Sequence, residues 1–257
     1  MKKFALVDIK GGLGNQIFIL AFAYHLKNNN FIVRLDTNFY KYEKQFPREL
    51  EIKIKNTGLK RFNFRNNKIF FLLNTWYEDI ENLDNCNFKL VNRFTGYYQN
   101  IDFLNESKDK IINVLGINVK PKIKNSCLIH IRKGDYKQLN EELKMSYYES
   151  AITQLLHKYP DTLFDIFTDD QELILDNNIF SNINSIYYPE NKENSTEVLE
   201  KMTRYQHYII ANSSFSLIAA SFGSDKHSEV FYPSPWWKNF DVTVKNIPSS
   251  WRKVENF

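Results

Sequence analysis

Two stretches of this chain of 257 residues join apolar runs to groups able to hold an anion. In the first, Cys127-Leu-Ile-His-Ile-Arg-Lys-Gly-Asp-Tyr136, a strand runs without a spacer into charge. Such a join sets the charges at the carboxyl end of a buried strand, which in an open α/β sheet faces the ligand crevice. The Arg132 guanidinium stays protonated at any working pH and grips two phosphate oxygens at once. Lys133 adds a less directional charge, Gly134 lets the chain turn where a side chain would block a ligand, and Asp135 braces Arg132 or serves as an acid or base. A strand ending in a solvated Arg–Asp pair would look the same, so the rest of the chain has to decide.

The second stretch, Tyr208-Ile-Ile-Ala211 followed by Asn212-Ser-Ser-Phe-Ser216, repeats the logic at a neighbouring strand end. The hydroxyls of Ser213, Ser214 and Ser216, with the unpaired N–H groups of a helix start, form an anion seat; one serine alone would be an ordinary N-cap. This seat and Arg132 can hold one diphosphate from two sides. His130 reads either as a base or ribose contact or as a satisfied core histidine. Glu197 and Glu200 on the preceding helix suit the two N–H donors of a guanine edge, and equally an exposed helix face. Asp169 and Asp170 lack the spacing of a metal pair and read as a loop near a nucleotide, so no metal is expected.

The opening of the chain is a strand over 4–9, the loop Lys10-Gly-Gly-Leu-Gly-Asn-Gln16, a helix over 17–27 and a strand over 31–36. Gly12 and Gly14 fit the first two glycines of GxGxxG, and Asp36 stands where a ribose-binding acid would be. Ile17 occupies the third glycine position, which weakens close packing over a pyrophosphate. Asn15 and Gln16 put two amides at the helix entrance, able to bond a sugar or a phosphate, with capping by Asn15 the plainer reading. Further on, Asn92-Arg-Phe-Thr-Gly-Tyr-Tyr-Gln99 is a strand end that brings Tyr97 and Gln99 to a loop.

The elements that position these groups alternate. Helices are expected at 102–115, 146–159, 171–175, 196–207 and 217–222, and strands at 127–131, 163–167, 186–188, 208–211 and 230–232. Regular alternation makes doubly wound parallel sheets the economical α/β architecture, and Pro121 with its lysine-rich surroundings marks a boundary between domains at 1–121 and 122–257. With 43% hydrophobic residues the chain can bury packed cores, and 34 basic against 30 acidic residues leave no basic tail for nucleic acid. Cys86 and Cys127 have no metal or disulfide spacing. No apolar run approaches a membrane-spanning length, so the expected location is cytoplasmic or peripheral at the inner membrane face.

Taken in order, Gly11-Gly-Leu-Gly-Asn-Gln-Ile-Phe18, Gly96-Tyr-Tyr-Gln99, His130-Ile-Arg-Lys-Gly-Asp-Tyr136, Phe167-Thr-Asp-Asp170 and His207-Tyr-Ile-Ile-Ala-Asn-Ser-Ser-Phe-Ser216 resemble the motifs of α-1,2-fucosyltransferases, glycosyltransferase family 11. The resemblance implies a GT-B fold of two Rossmann-like domains facing a cleft, with a GDP-fucose donor on the C-terminal domain. It also implies a galactose-terminated glycan or glycolipid acceptor on the N-terminal domain, and inverting transfer without metal or cofactor in surface glycan (lipopolysaccharide) synthesis. By the same resemblance Arg132 contacts the donor phosphates, His130 and Glu200 the guanine, and Ser213 and Ser214 the phosphates. Gly12, Gly14, Lys133, Asp169, Asn212 and Ser216 complete the expected donor set, Asp36, Tyr97 and Gln99 lie on the acceptor side, and Arg132, Asp135 and Asn15 are the expected catalytic group. Lys133 stands where the family usually has a second arginine, Leu217-Ile218 where it has a tryptophan pair, and Ala219 where it has glycine.

Displacing a nucleoside diphosphate from a sugar passes through an oxocarbenium-like state while charge builds on the leaving group, and Arg132, Lys133 and the serine-lined helix start suit that charge. For the proton of the attacking hydroxyl, Asp8, Asp36 and Asp135 stay open. Three other readings remain: a transferase of another GDP-sugar, a non-catalytic GDP-sugar or glycan-binding protein, and a dinucleotide oxidoreductase, which leaves Arg132 and Ser213 unexplained.

Overall fold

A computed structural model describes residues 2–42, 48–62, 75–78 (backbone only), 88–118, 120–171, 182–188, 193–239 and 243–256. It divides between Gly116 and Ile117 into two compact units, upstream of the boundary expected at Pro121. Cys86 and most of the helix expected at 171–175 lie outside the described residues.

The first unit carries β1 (Phe4–Asp8), α1 (Leu13–Asn28), β2 (Ile32–Asp36), α2 (Phe39–Tyr42), β3 (Lys60–Arg61), β4 (Thr75–Glu78), β5 (Val91–Thr95) and α3 (Ile101–Leu115). Its strands lie in the order β3-β2-β1-β5-β4, parallel at every pairing. Apolar on nearly all sides, α1 is covered on nearly all sides: Phe22 stacks on Tyr98 with centroids 3.8 Å apart, meets Phe94 edge-on, and has Phe103 of α3 beside it. The helix begins at Leu13 instead of Ile17, with Gly12 at its N-cap and no side-chain cap. Gly14, Asn15 and Gln16 therefore belong to its first turn, and Asn15 is not the cap. Gly11, at φ +75°, makes the turn that leads in.

The second unit carries β6 (Ile123–Ile131), α4 (Gly134–Leu139), α5 (Met145–Lys158), β7 (Leu163–Thr168), β8 (Ile183–Tyr187), α6 (Ser195–Met202), β9 (Tyr205–Ile209), α7 (Ser214–Gly223), β10 (Val230–Ser234) and β11 (Arg252–Glu255). The order is β11-β10-β9-β6-β7-β8, again parallel throughout. Strand alternation turns Cys127, Ile129 and Ile131 toward a core shared with Tyr147, Tyr148, Ala151, Ile152 and Leu155 of α5. Leu128 and His130 take the other face. Two helix boundaries differ from expectation. The helix expected to reach His207 stops at Met202, because Tyr205–Ile209 pairs with β6 and β10 and strand pairing overrides local periodicity. Helix α7 starts at Ser214, three residues early, because the Ser213 hydroxyl caps it by accepting the Phe215 N–H at 3.3 Å.

Both units are thus α/β with parallel sheets, the Rossmann-like pair expected of a GT-B protein. The second sheet reverses its winding once, between β6 and β9: the chain steps one way from β6 to β8 and the other way from β9 to β11. Ligand crevices in open α/β sheets form at the carboxyl ends of strands at such switch points. Among the described residues no helix is long and apolar enough to cross a membrane.

At the end of α7, Gly223 is a packing requirement. A Cβ there would overlap the Tyr208 hydroxyl and the Thr203 carbonyl oxygen and lie 2.9 Å from the Thr203 carbonyl carbon, at the place where Tyr208 donates to Thr203 at 3.0 Å. Overpacking of this kind costs about 1–3 kcal/mol, against the roughly 1 kcal/mol that alanine gains over glycine in a helix. Gly223→Ala is expected to lower the urea midpoint, whereas an unchanged or raised midpoint would show that the end of α7 yields freely.

Candidate active site

The switch point of the second sheet gathers most of the groups picked out by sequence. The β6–β7 register sets Ile131 opposite Thr168, so the residues that follow, Arg132 and Asp169, leave the sheet side by side. Arg132 Nη1 pairs with Asp169 Oδ2 at 2.7 Å and Nη2 with Asp135 Oδ1 at 2.7 Å, the guanidinium remaining 25% exposed. Asp169 Oδ1 also accepts the Lys133 N–H at 2.8 Å. Beside them, Asp170 takes Lys133 Nζ at 3.5 Å and Lys137 Nζ at 3.3 Å. Burial alone would push the Arg132 pKa down; the Asp169 and Asp135 carboxylates reverse that and hold it above its ordinary value.

Across the switch point, Ser213 and Ser214 stand at the start of α7 after β9. Tyr136 joins the two sides: its hydroxyl donates to the Asn212 carbonyl at 3.1 Å, and its ring lies 5.6 Å from the Arg132 guanidinium. Tyr136 thus lies between a guanidinium and a helix start that come from distant parts of the chain. Between them, in β6, His130 is buried, and its Nδ1 has no hydrogen-bond partner among the described residues. Burial first, and the Arg132 charge second, lower its pKa to about 3, so it is neutral at working pH.

Three expected donor residues are employed elsewhere. Glu200 lies near the C-terminal end of α6, which puts it at the opposite, amino edge of the sheet, where it accepts the Asn118 N–H at 3.0 Å and pairs with Lys120 at 3.1 Å. Ser216 is fully buried and donates to the Ala211 and Ser213 carbonyls, as expected of a hydroxyl turned into the helix. The Asn212 side chain donates inward to the Glu141 carbonyl at 2.9 Å. Gly12 and Gly14, expected with the donor, belong to the first unit and not to the one that carries Arg132.

In the first unit Asn15 Oδ1 accepts from Gln99 Nε2 at 3.1 Å, and Lys10 Nζ lies 4.8 Å from the ring of Tyr97, itself 36% exposed. Gln16 is wholly internal: Nε2 donates to Gly11 and Glu49 carbonyls while Oε1 accepts the N–H groups of Glu51 and Ile52. Arg93 bridges Asp8 (Nη2 to Oδ1, 3.0 Å) and Asp36 (Nη2 to Oδ2, 3.2 Å). Asp36 is 3% exposed and also accepts the Asn38 N–H, so it is committed to holding the unit together. Burial, opposed by Arg93, raises the Asp8 pKa.

Sequence reasoning gave no role to Tyr136, Trp237 or Glu141. The Glu141 carboxylate is fully buried and accepts the successive N–H groups of Lys238 and Asn239, both at 2.7 Å. That fixes Trp237 with its ring 5.2 Å from Tyr136. Nothing local to Glu141 foretells partners so far along the chain. Among the described residues no group of His, Cys, Asp and Glu is arranged to hold a metal ion.

Comparison with known proteins adds three findings. The model of the glycosyl transferase family 11 matches residues 49–238. An Escherichia coli protein named alpha-1,2-colitosyltransferase is 28% identical, the alignment covering 96% of this chain and 97% of that protein, and the Escherichia coli O-antigen biosynthesis glycosyltransferase WbnK is 26% identical over 89% and 93%. Among solved structures, a glycosyl transferase family 9 protein of Veillonella parvula aligns over 98% of this chain and 86% of its own, with a TM-score of 0.45 and 9% identity.

Two buried histidines of the second unit set its acid stability. His130 at about 3 and His207, pushed down to about 4 chiefly by burial, are neutral in the fold, whereas unfolded histidine titrates near 6.5. Between the two ranges the unfolded chain binds more protons, so stability is lost as pH falls from about 6.5 toward 4, on the order of 1 kcal/mol per pH unit for each histidine. Urea midpoints measured from pH 7.5 to 4.5 are expected to fall in that window. Replacing His207 should flatten the slope, and a profile already flat in the wild type would mean that the histidines are solvated.

Proposed function

The chain belongs to glycosyl transferase family 11, and from that premise we propose that it moves a 6-deoxyhexose, L-fucose or its 3-deoxy counterpart colitose, from a GDP-sugar to the 2-hydroxyl of a galactoside in surface glycan synthesis. The observation that carries the reading is the meeting of the Arg132 guanidinium and the α7 start at the β6/β9 switch point, with Tyr136 tying one to the other. Fucose follows from the motif resemblance. Colitose is favoured by the name of the colitosyltransferase relative.

The donor diphosphate binds Arg132, Lys133, Ser213 and Ser214. As the bond from the anomeric carbon to the diphosphate oxygen lengthens, negative charge grows where fixed N–H and O–H donors already point, so they stabilise the transition state more than the ground state. Arg132, Lys133 and the helix dipole supply the positive charge that a divalent cation would otherwise bring, and transfer needs no metal or cofactor. Neutral His130 offers its unpartnered Nδ1 to the nucleotide. The acceptor hydroxyl attacks the opposite face and inverts the centre, and its proton passes to Asp8 or Asp135, Asp36 being closed off between Arg93 and the Asn38 N–H. Both carry a guanidinium partner, burial raises the Asp8 pKa against that pairing, and a dissociative reaction needs only weak basic help. Asn15, with Gln99 and Tyr97, orients that hydroxyl.

Arg132→Ala is expected to lower transfer by about 100-fold or more with the melting temperature little changed; turnover within a few-fold of wild type would refute the site. Activity should survive EDTA, and a requirement for Mn²⁺ would point to another mechanism. GDP-L-fucose and GDP-colitose tested against β-galactosyl acceptors, with product linkage read by NMR, decide the donor. Binding of GDP without GDP release or product in either case would identify a non-catalytic binding protein.

A further inference from the structure

We infer that Asp169 is a positioning residue for Arg132, and that Gly134 is glycine in order to admit its carboxylate. The inference rests on the reading of Arg132 as the donor-phosphate residue and assigns Asp169, expected on the donor itself, a different task. One carboxylate serves two partners: Oδ2 takes the guanidinium at 2.7 Å and Oδ1 the N–H of the next residue, Lys133, at 2.8 Å. Bonding both the tip of a side chain and the main chain beside its root fixes that side chain against its own backbone. Asp135 holds the other nitrogen at 2.7 Å, and the Tyr136 ring lies alongside. A guanidinium has five N–H donors; each terminal nitrogen engages one carboxylate, which fixes the fork while the side chain stays 25% exposed.

The role of Gly134 follows from space. Its φ does not lie in the left-handed region, so the turn itself does not demand glycine. A Cβ built there would collide with Asp169 Oδ2 and lie 3.2 Å from its Cγ. A side chain at 134 obliges the Asp169 carboxylate, the tip of a flexible side chain, to shift from the position in which it pairs with Arg132. An ordinary surface ion pair contributes little and is indifferent to a neighbouring methyl group; this one is built into the backbone of the motif.

Charge and aim predict opposite signs. If Asp169 were only a counter-charge, Asp169→Asn would make the site more positive and tighten GDP. As a positioning residue, Asp169→Asn keeps an acceptor for Lys133 but loosens the guanidinium. It is expected to cut kcat by about tenfold or more, the order that small misplacements cost, with GDP bound no tighter by calorimetry. Tighter GDP with kcat within about twofold of wild type would overturn the inference. A double-mutant cycle supplies a second readout. Gly134→Ala alone should cost about tenfold or more in kcat/KM, and less than about twofold when added to Asp169→Ala, where the space is free. An equal loss in both backgrounds would mean that Gly134 serves its own backbone, and would also overturn it. Arg132→Ala separates the levels: if that variant still transfers, the proposed function fails, whereas an inactive Arg132→Ala beside a fully active Asp169→Asn sinks only the present inference.

Discussion

The second unit is organised around one guanidinium, a quarter exposed, held between two carboxylates where its sheet changes direction. Arg132, Lys133 and Lys137 face Asp135, Asp169 and Asp170, so the knot is close to neutral before any ligand arrives. That balance explains how so much charge collects at the end of a buried strand, since unpaired ions there would be strongly disfavoured. It also shapes how an anion is received. The pairs consume part of each cation's donor capacity and fix the orientation of the rest, so the diphosphate proposed to bind there would meet donors already aimed, with little left to reorganise. Preorganisation, more than net charge, is what the arrangement provides.

The legible part of the site was the part written locally. An arginine and an aspartate three residues apart, directly after an apolar strand, announce a pair, and serines after another strand announce a cap; both are in place. Residues whose role depends on the direction or phase of an element were misread. Glu200 went to the wrong edge because the preceding helix stops at Met202 and runs back against the strands, so only its first turn approaches their carboxyl ends. Ser216 lies in the first turn of α7 and points inward, which a count of hydroxyls cannot tell. Glu141 and Trp237 were silent because their partners lie nearly a hundred residues off, and no periodicity carries a tertiary contact of that span.

The glycine-rich opening of the chain shows a different kind of ambiguity. Gly11-Gly-Leu-Gly-Asn-Gln16 suits a phosphate loop in composition, yet Gln16 spends its whole amide on the main chain of Gly11, Glu49, Glu51 and Ile52. A buried amide with every group satisfied fastens one segment to another. The motif thus stitches the loop after β1 to the segment around 49–52, which leaves Asn15, bonded to Gln99 and only partly buried, as the residue of this stretch with an outward face. The same short sequence therefore contains a structural amide and a candidate functional one, adjacent in the chain and opposite in exposure.

The two units share a device, and the difference between its copies separates a brace from a site. Arg93 spans Asp8 and Asp36 in the first sheet much as Arg132 spans Asp135 and Asp169 at the switch point of the second. Around Arg93 the bond runs from strand to strand, and Asp36 is closed off at 3% exposure. The first trio therefore locks β1, β2 and β5 together. Around Arg132 all three members stand beyond the strand ends and each remains about a quarter exposed, with a glycine kept free of a side chain to let the carboxylate in. A guanidinium needed only for stability gains nothing from such openness, because solvent weakens its ion pairs. Keeping its fork accessible at that cost fits the anion-binding role proposed for Arg132, as the more enclosed Arg93 trio fits a brace.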